Sequence, residues 1–125
     1  MSKFLTPKDL LDSQVKEFNG GNIDFLMTLY EMDACFASKP GQAVNDLDSI
    51  RRTLQDFIHM GAKLEAIVRR VVQASDLALL ITEWSNNGNE PDGKPINLVG
   101  RGTVVLRRQP NGTWLMVIEN PWGTE

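Results

Sequence analysis

The hydrophobic pattern changes period once along the chain, at Gly61, and that single change restricts the architecture more than any other feature. Beyond it, β-branched, aliphatic and aromatic residues recur with a period of two in four runs: Lys63 to Ala74, Leu77 to Ser85, Ile96 to Arg108 and Thr113 to Glu119. Successive side chains of a strand point to opposite faces, so these runs predict strands. Ser75-Asp76 and Pro110-Asn111-Gly112 carry tight-turn chemistry and predict antiparallel hairpins, whereas Asn86 to Pro95 reads as a longer polar loop.

Before Gly61 the period is helical. Thr6-Pro7 with Asp9 is a helix start, since threonine caps free N–H groups and proline has none to leave unpaired. Leu11, Val15 and Phe18 continue it to Gly20-Gly21. Asn22 then caps a second helix bearing Ile23, Leu26, Met27 and Tyr30. Ala34 to Ser38, bounded by Pro40-Gly41, predicts a brief strand. A third helix starts near Asp46, with Leu47, Ile50, Leu54, Phe57 and Ile58 on one stripe, and ends at Gly61. Three helices ahead of a four-strand meander predict an α+β fold, with the helices packed on the concave face of a strongly curved, mainly antiparallel sheet.

Both sets of alternating positions are apolar in two of the strands. Leu80, Thr82 and Trp84 oppose Leu79, Ile81 and Glu83; Trp114, Met116 and Ile118 oppose Leu115, Val117 and Glu119. A sheet apolar on both sides needs two covers, and the helices supply one. The expected second cover is another copy of the chain, a homodimer through an outer sheet face that carries Trp84, Trp114 and Met116.

Composition narrows the function classes. With 125 residues, 42% of them hydrophobic, the chain fits a single domain over 1–125. Thirteen basic against sixteen acidic residues give a net charge of −3, which argues against a nucleic-acid partner. The single Cys35 forms no intrachain disulfide, and one histidine with scattered carboxylates makes no metal set, so neither metal nor cofactor is expected. Met1 to Pro7 lacks the apolar core of a secretion signal, and no apolar run approaches the ~20 residues that cross a bilayer. A cytoplasmic protein with no membrane partner is expected.

The helical hairpin, Leu29-Tyr30 leading to Asp33-Ala34-Cys35-Phe36, the capped third helix, the long meander and the ending Asn111-Gly112-Thr113-Trp114 through Glu119-Asn120-Pro121-Trp122-Gly123 together resemble the nuclear transport factor 2-like superfamily, with its cystatin-like cone. Within it the ending is most similar to bacterial ketosteroid-isomerase homologues of unassigned activity, although Glu119 stands where an aspartate is more usual. The resemblance implies a bent sheet wrapping the third helix around an apolar cavity, with a dimer on the outer face. It also implies inward positions at Leu64, Ala66 and Val68, at Leu79, Ile81 and Glu83, at Gly100, Gly102 and Val104, and at Val117, Glu119 and Pro121, with Trp84, Thr103 and Trp114 outward. Matched to the true isomerases, Ser38 stands at the base, Gln14 near the oxyanion tyrosine and Val104 at the protonated acid. All three chemical groups are missing, so steroid isomerisation is not expected.

Several residues read two ways. His59, the lone histidine, is either an acid or base at the cavity mouth or a solvated residue favoured by the helix C-terminus. Glu83 and Glu119 either share a buried polar cluster with His59 or Tyr30, or reach solvent at strand ends. Tyr30 is either a ligand donor or a core aromatic with a polar tip. Trp122 either closes the cavity or seals the sheet edge. The expected site is therefore His59 and Glu119 for proton transfer, with Tyr30, Ser38, Leu54, Leu64, Ile81, Glu83, Val104, Val117 and Trp122 around a small apolar ligand. The alternatives are an isomerase, cyclase or hydrolase using His59 or Glu119, and a purely structural association module.

Overall fold

The computed structural model describes residues 6–61, 63–90 and 92–123. Met1 to Leu5, the stretch read for a secretion signal, lie outside them. Helix α1 (Pro7–Asn19) starts as its sequence dictates: the Thr6 hydroxyl accepts from Asp9 N–H at 3.2 Å and Pro7 follows the cap. It buries Leu10, Leu11, Gln14 and Phe18 and stops at Gly20, after which Gly21 takes a left-handed turn. Helix α2 (Ile23–Met27) is one short turn that buries Leu26. Asn22 does not cap it; its amide donates to Glu17 instead. Helix α3 (Leu47–His59) is capped by Asp46, which accepts from Ser49 N–H at 2.7 Å, and buries Ile50 and Leu54.

Strands β1 (Tyr30–Lys39), β2 (Gln42–Val44), β3 (Lys63–Ala74), β4 (Leu77–Asn89), β5 (Pro95–Arg108) and β6 (Trp114–Asn120) form one sheet in the order β2-β1-β6-β5-β4-β3. Among the described residues the sheet therefore has six strands: the four of the meander, the one expected around Ala34 to Ser38, and the short β2, which the sequence did not mark. Alternation between α2 and α3 is masked because Tyr30, Ala34 and Phe36 all go inward among mixed neighbours, so β1 runs ten residues instead of five. It lies parallel to β6, which a long crossover makes possible, while every other pairing is antiparallel. The polar stretch after Ser85 continues β4 to Asn89, because its backbone pairs with β5 from Asn97 to Pro95. Among the described residues no helix is long and apolar enough to cross a membrane.

The faces of two strands differ from the expectation. On β4, Leu80, Thr82, Trp84 and Asn86 point to the helices, and Leu79, Ile81 and Glu83 to the outside. Alternation cannot choose between two apolar faces. The charge chooses: Glu83 sits outside, gripped by Arg69 through two bonds of 2.8 and 3.1 Å. On β6, Leu106 pairs with Met116 and Val105 with Ile118, so Val117 is the extra residue of a bulge. The bulge shifts the phase by one, and both Met116 and Glu119 face inward. Trp114 (2% exposed) and Met116 (fully buried) thus belong to the core of one chain, and Trp84 lines its interior. Trp114 and Met116, buried inside one chain, carry no contact on the outer face, whereas Trp84 also borders a groove there beside Ile67 and Val99. That face instead exposes Ile67, Val72, Val99 and Ile118.

Candidate ligand-binding site

Between the helices and the concave sheet lies a partly open cavity with about 100 Å³ in which a water molecule can be centred, several times what one water needs. Its walls are Leu11, Val15 and Phe18 from α1, Leu54 and Phe57 from α3, Phe36 from β1, and the inward residues of β3 to β6. The C-terminal segment closes one side. Trp84 Nε1–H donates to the Pro121 carbonyl at 2.6 Å, Trp122 Nε1–H donates to the Ala37 carbonyl at 2.9 Å, and the two indoles meet edge to face at 5.8 Å. Gly100 leaves the space that the Trp84 ring occupies.

One polar cluster faces this apolar space. The Glu119 carboxylate accepts a short bond from the Tyr30 hydroxyl and a 2.9 Å bond from Gln14 Nε2, which also reaches the Tyr30 oxygen at 3.3 Å. Sequence spacing brings the three together. Gln14 falls on the buried stripe of α1, four residues after Leu10 and four before Phe18; Tyr30 starts β1; and the β6 bulge turns Glu119 inward opposite Phe36 and Val104. Burial pushes the Glu119 carboxyl above its ordinary value, and its two donors oppose that rise. Tyr30 is held well above the usual phenol range, first by burial and then by the adjacent carboxylate, so its proton stays in the cluster.

Of the expected site residues, Glu119, Leu54, Leu64, Val104 and Trp122 line the cavity, and Tyr30 supports it from behind Glu119. Ser38 is half-buried near the end of β1 and outside the lining. Ile81 and Glu83 face the opposite side of the sheet, and Val117 occupies the bulge. His59 is exposed in a surface groove with Arg52, Thr53, Gln55 and Asp56, away from the cavity. Helical spacing explains this: positions 52, 55, 56 and 59 form the polar stripe opposite Leu54 and Phe57. The cluster of His59 with Glu83 and Glu119 does not form. Arg69, not a histidine, holds Glu83, lowering its carboxyl below the ordinary range.

Gln14, Thr82, Trp84 and Asn86 were not singled out as ligand contacts, yet all line the cavity. An amide in the middle of the α1 apolar stripe was a readable signal for Gln14. The other three needed the phase of β4. Among the described residues, no three His, Cys, Asp or Glu side chains gather as a metal-ligating group.

The SnoaL-like domain model matches residues 12–115, which runs from within α1 to the start of β6. The chain belongs to the SnoaL-like domain family. Its sequence has no match among curated proteins. Solved structures share the SnoaL-like fold at low identity. A conserved protein from Planctomyces limnophilus superposes with a TM-score of 0.80 at 15% identity, covering 89% of this chain and 88% of its own. A ketosteroid isomerase-like protein from Erwinia carotovora atroseptica gives 0.76 at 16%, with the same coverage of 89% and 88%. An NTF2-like protein with a cystatin-like fold from Novosphingobium aromaticivorans gives 0.73 at 16%, covering 90% and 75%. Identities this low establish the shared fold, and the nuclear transport factor 2-like architecture inferred from sequence is the one observed.

Proposed function

We propose that this SnoaL-like chain is a homodimeric pocket protein that holds a small, mostly apolar molecule. The observation that carries the reading is an apolar cavity whose one carboxylate among the described residues, Glu119, is fixed in it by Tyr30 and Gln14. Apolar walls supply the affinity of such a site, and a few placed polar groups orient the occupant. The dimer would form on the outer sheet face, where Ile67 of β3, Val99 of β5 and Ile118 of β6 stand exposed.

Neutral two-ring probes such as naphthol and methoxynaphthalene should bind saturably and quench Trp84 and Trp122, and Ala66→Phe, which narrows the cavity, should abolish the effect. No saturation with any neutral probe would refute the binding reading. Sedimentation at micromolar concentration should report two chains, and Val99→Asp one. A monomeric wild type would remove the dimer.

The raised Glu119 carboxyl supports a second reading, in which it takes a proton from a C–H next to a carbonyl of the bound molecule. Tetralone α-hydrogens should then exchange into deuterated water faster with the chain than without it. Equal exchange for wild type and Glu119→Gln would leave Glu119 as a binding group alone.

A further inference from the structure

Asn86 is placed by β4 in the cavity wall and is 6% exposed. Its Oδ1 is the sole fully buried side-chain acceptor among the described residues that receives no hydrogen bond. An amide oxygen removed from water without a donor is costly, and buried polar atoms in native proteins nearly always have a partner. The sheet has no use for an amide at this place. Asn86 lies in the cross-strand row Leu64–Asn86–Leu98, where its neighbours on both sides are leucines, so a third apolar side chain would complete the wall.

The position also separates it from the Glu119 cluster. Glu119 shares a row with Leu80 and Val104, and Asn86 is six residues further along β4 from Leu80. The cavity therefore has a polar group near each end, with Thr82 and Trp84 of β4 between them. Four donors in or behind its wall are engaged by the protein: both lining indoles by backbone carbonyls, and the Tyr30 hydroxyl and Gln14 amide by Glu119. Among the described residues, no lysine, arginine or histidine lines it.

Resting on the reading of the cavity as a binding site, we infer that its ligand is a neutral or cationic apolar molecule bearing a hydroxyl or N–H group that donates to Asn86 Oδ1. Such a ligand satisfies the unpaired oxygen. A carboxylate or phosphate ligand finds no cation, meets the Glu119 charge and leaves Asn86 unpaired.

Naphthol, methoxynaphthalene and naphthoate, substituted at the same carbon, separate these cases with one apolar body. Naphthol should bind wild type about tenfold more tightly than methoxynaphthalene, the cost of one missing donor to a buried acceptor, and naphthoate should bind weakest. Asn86→Leu should erase the advantage of naphthol over methoxynaphthalene. In the unaltered protein, the Asn86 side-chain amide resonances should shift with naphthol and stay in place with methoxynaphthalene, which keeps the test independent of how the variant folds. Equal binding of naphthol and methoxynaphthalene, an advantage that survives Asn86→Leu, or tightest binding by naphthoate would overturn the ligand class and leave the pocket reading standing. Failure of all three probes to bind would overturn both.

Discussion

Gly100→Ala adds one methyl group where the Trp84 ring packs directly on β5. The new Cβ would lie 2.7 Å from Trp84 Cζ2 and 2.9 Å from Cε2, closer than carbon atoms approach without repulsion. The indole has little room to retreat, being tied through Nε1 to the Pro121 carbonyl and packed against the edge of Trp122. Gly100 has no left-handed backbone angle, so alanine suits its main chain and the penalty is steric. Overpacking of this kind costs about 1–3 kcal/mol. Losing the Trp84–Pro121 bond adds about 1 kcal/mol. The smaller conformational freedom of alanine in the unfolded chain returns about 0.5–1 kcal/mol. The net is a destabilisation of about 1–3.5 kcal/mol, to be read from urea unfolding followed by tryptophan fluorescence. In a Trp84→Phe background, where the clashing ring atoms are gone, the same substitution should cost under about 0.5 kcal/mol, and the difference is the coupling between the two sites. A Gly100→Ala protein as stable as wild type, or an equal penalty in both backgrounds, would refute the reasoning.

The raised Glu119 carboxyl means that the folded protein keeps this proton to higher pH than the unfolded chain does. The stability it contributes is present below the ordinary carboxylate value of 4.5 and is lost as pH rises through the folded value; thermal unfolding across this range should show a decline that Glu119→Gln lacks. The Asn19 amide clamps the edge of β3 by bonding both the N–H and the carbonyl of Leu64 at 2.8 Å, so Asn19→Ala should cost about 1–2 kcal/mol and speed hydrogen exchange at Leu64. His59→Ala should change stability by less than about 0.5 kcal/mol and leave probe affinity unaltered; a loss of binding would place His59 at the cavity after all.

The helices and the late strands were legible because each rests on local chemistry: a capping Thr6 or Asp46, a stopping glycine, a period that changes at Gly61. The length of β1 and its parallel pairing with β6 were not, since that pairing joins residues far apart in sequence and leaves no local mark. Strand phase was the main source of error in the site. Where both faces of β4 are apolar, alternation states that Trp84 and Glu83 oppose each other without saying which is inside, and the deciding Arg69–Glu83 pair comes from the neighbouring strand. The Val117 bulge has the same character. It makes Met116 and Glu119 share a face that a strict two-residue repeat forbids, so Glu119 could be placed inward only at the cost of sending Trp114 and Met116 outward. His59 is different: the stripe of 52, 55, 56 and 59 was available from the helix period alone.

The central claim is that the cone between the helices and the sheet is a binding cavity, and the three tryptophans test it within one protein. Trp84 and Trp122 line the cavity, whereas Trp114 is buried outside its lining. In a naphthol titration followed by nitrogen–proton correlation spectra, the indole N–H signals of Trp84 and Trp122 and the Gln14 side-chain amide should shift together to saturation with one dissociation constant, while Trp114 stays in place. Shifts confined to the outer-face residues around Ile67 and Val99, or no saturable shift at Trp84 and Trp122, would contradict it.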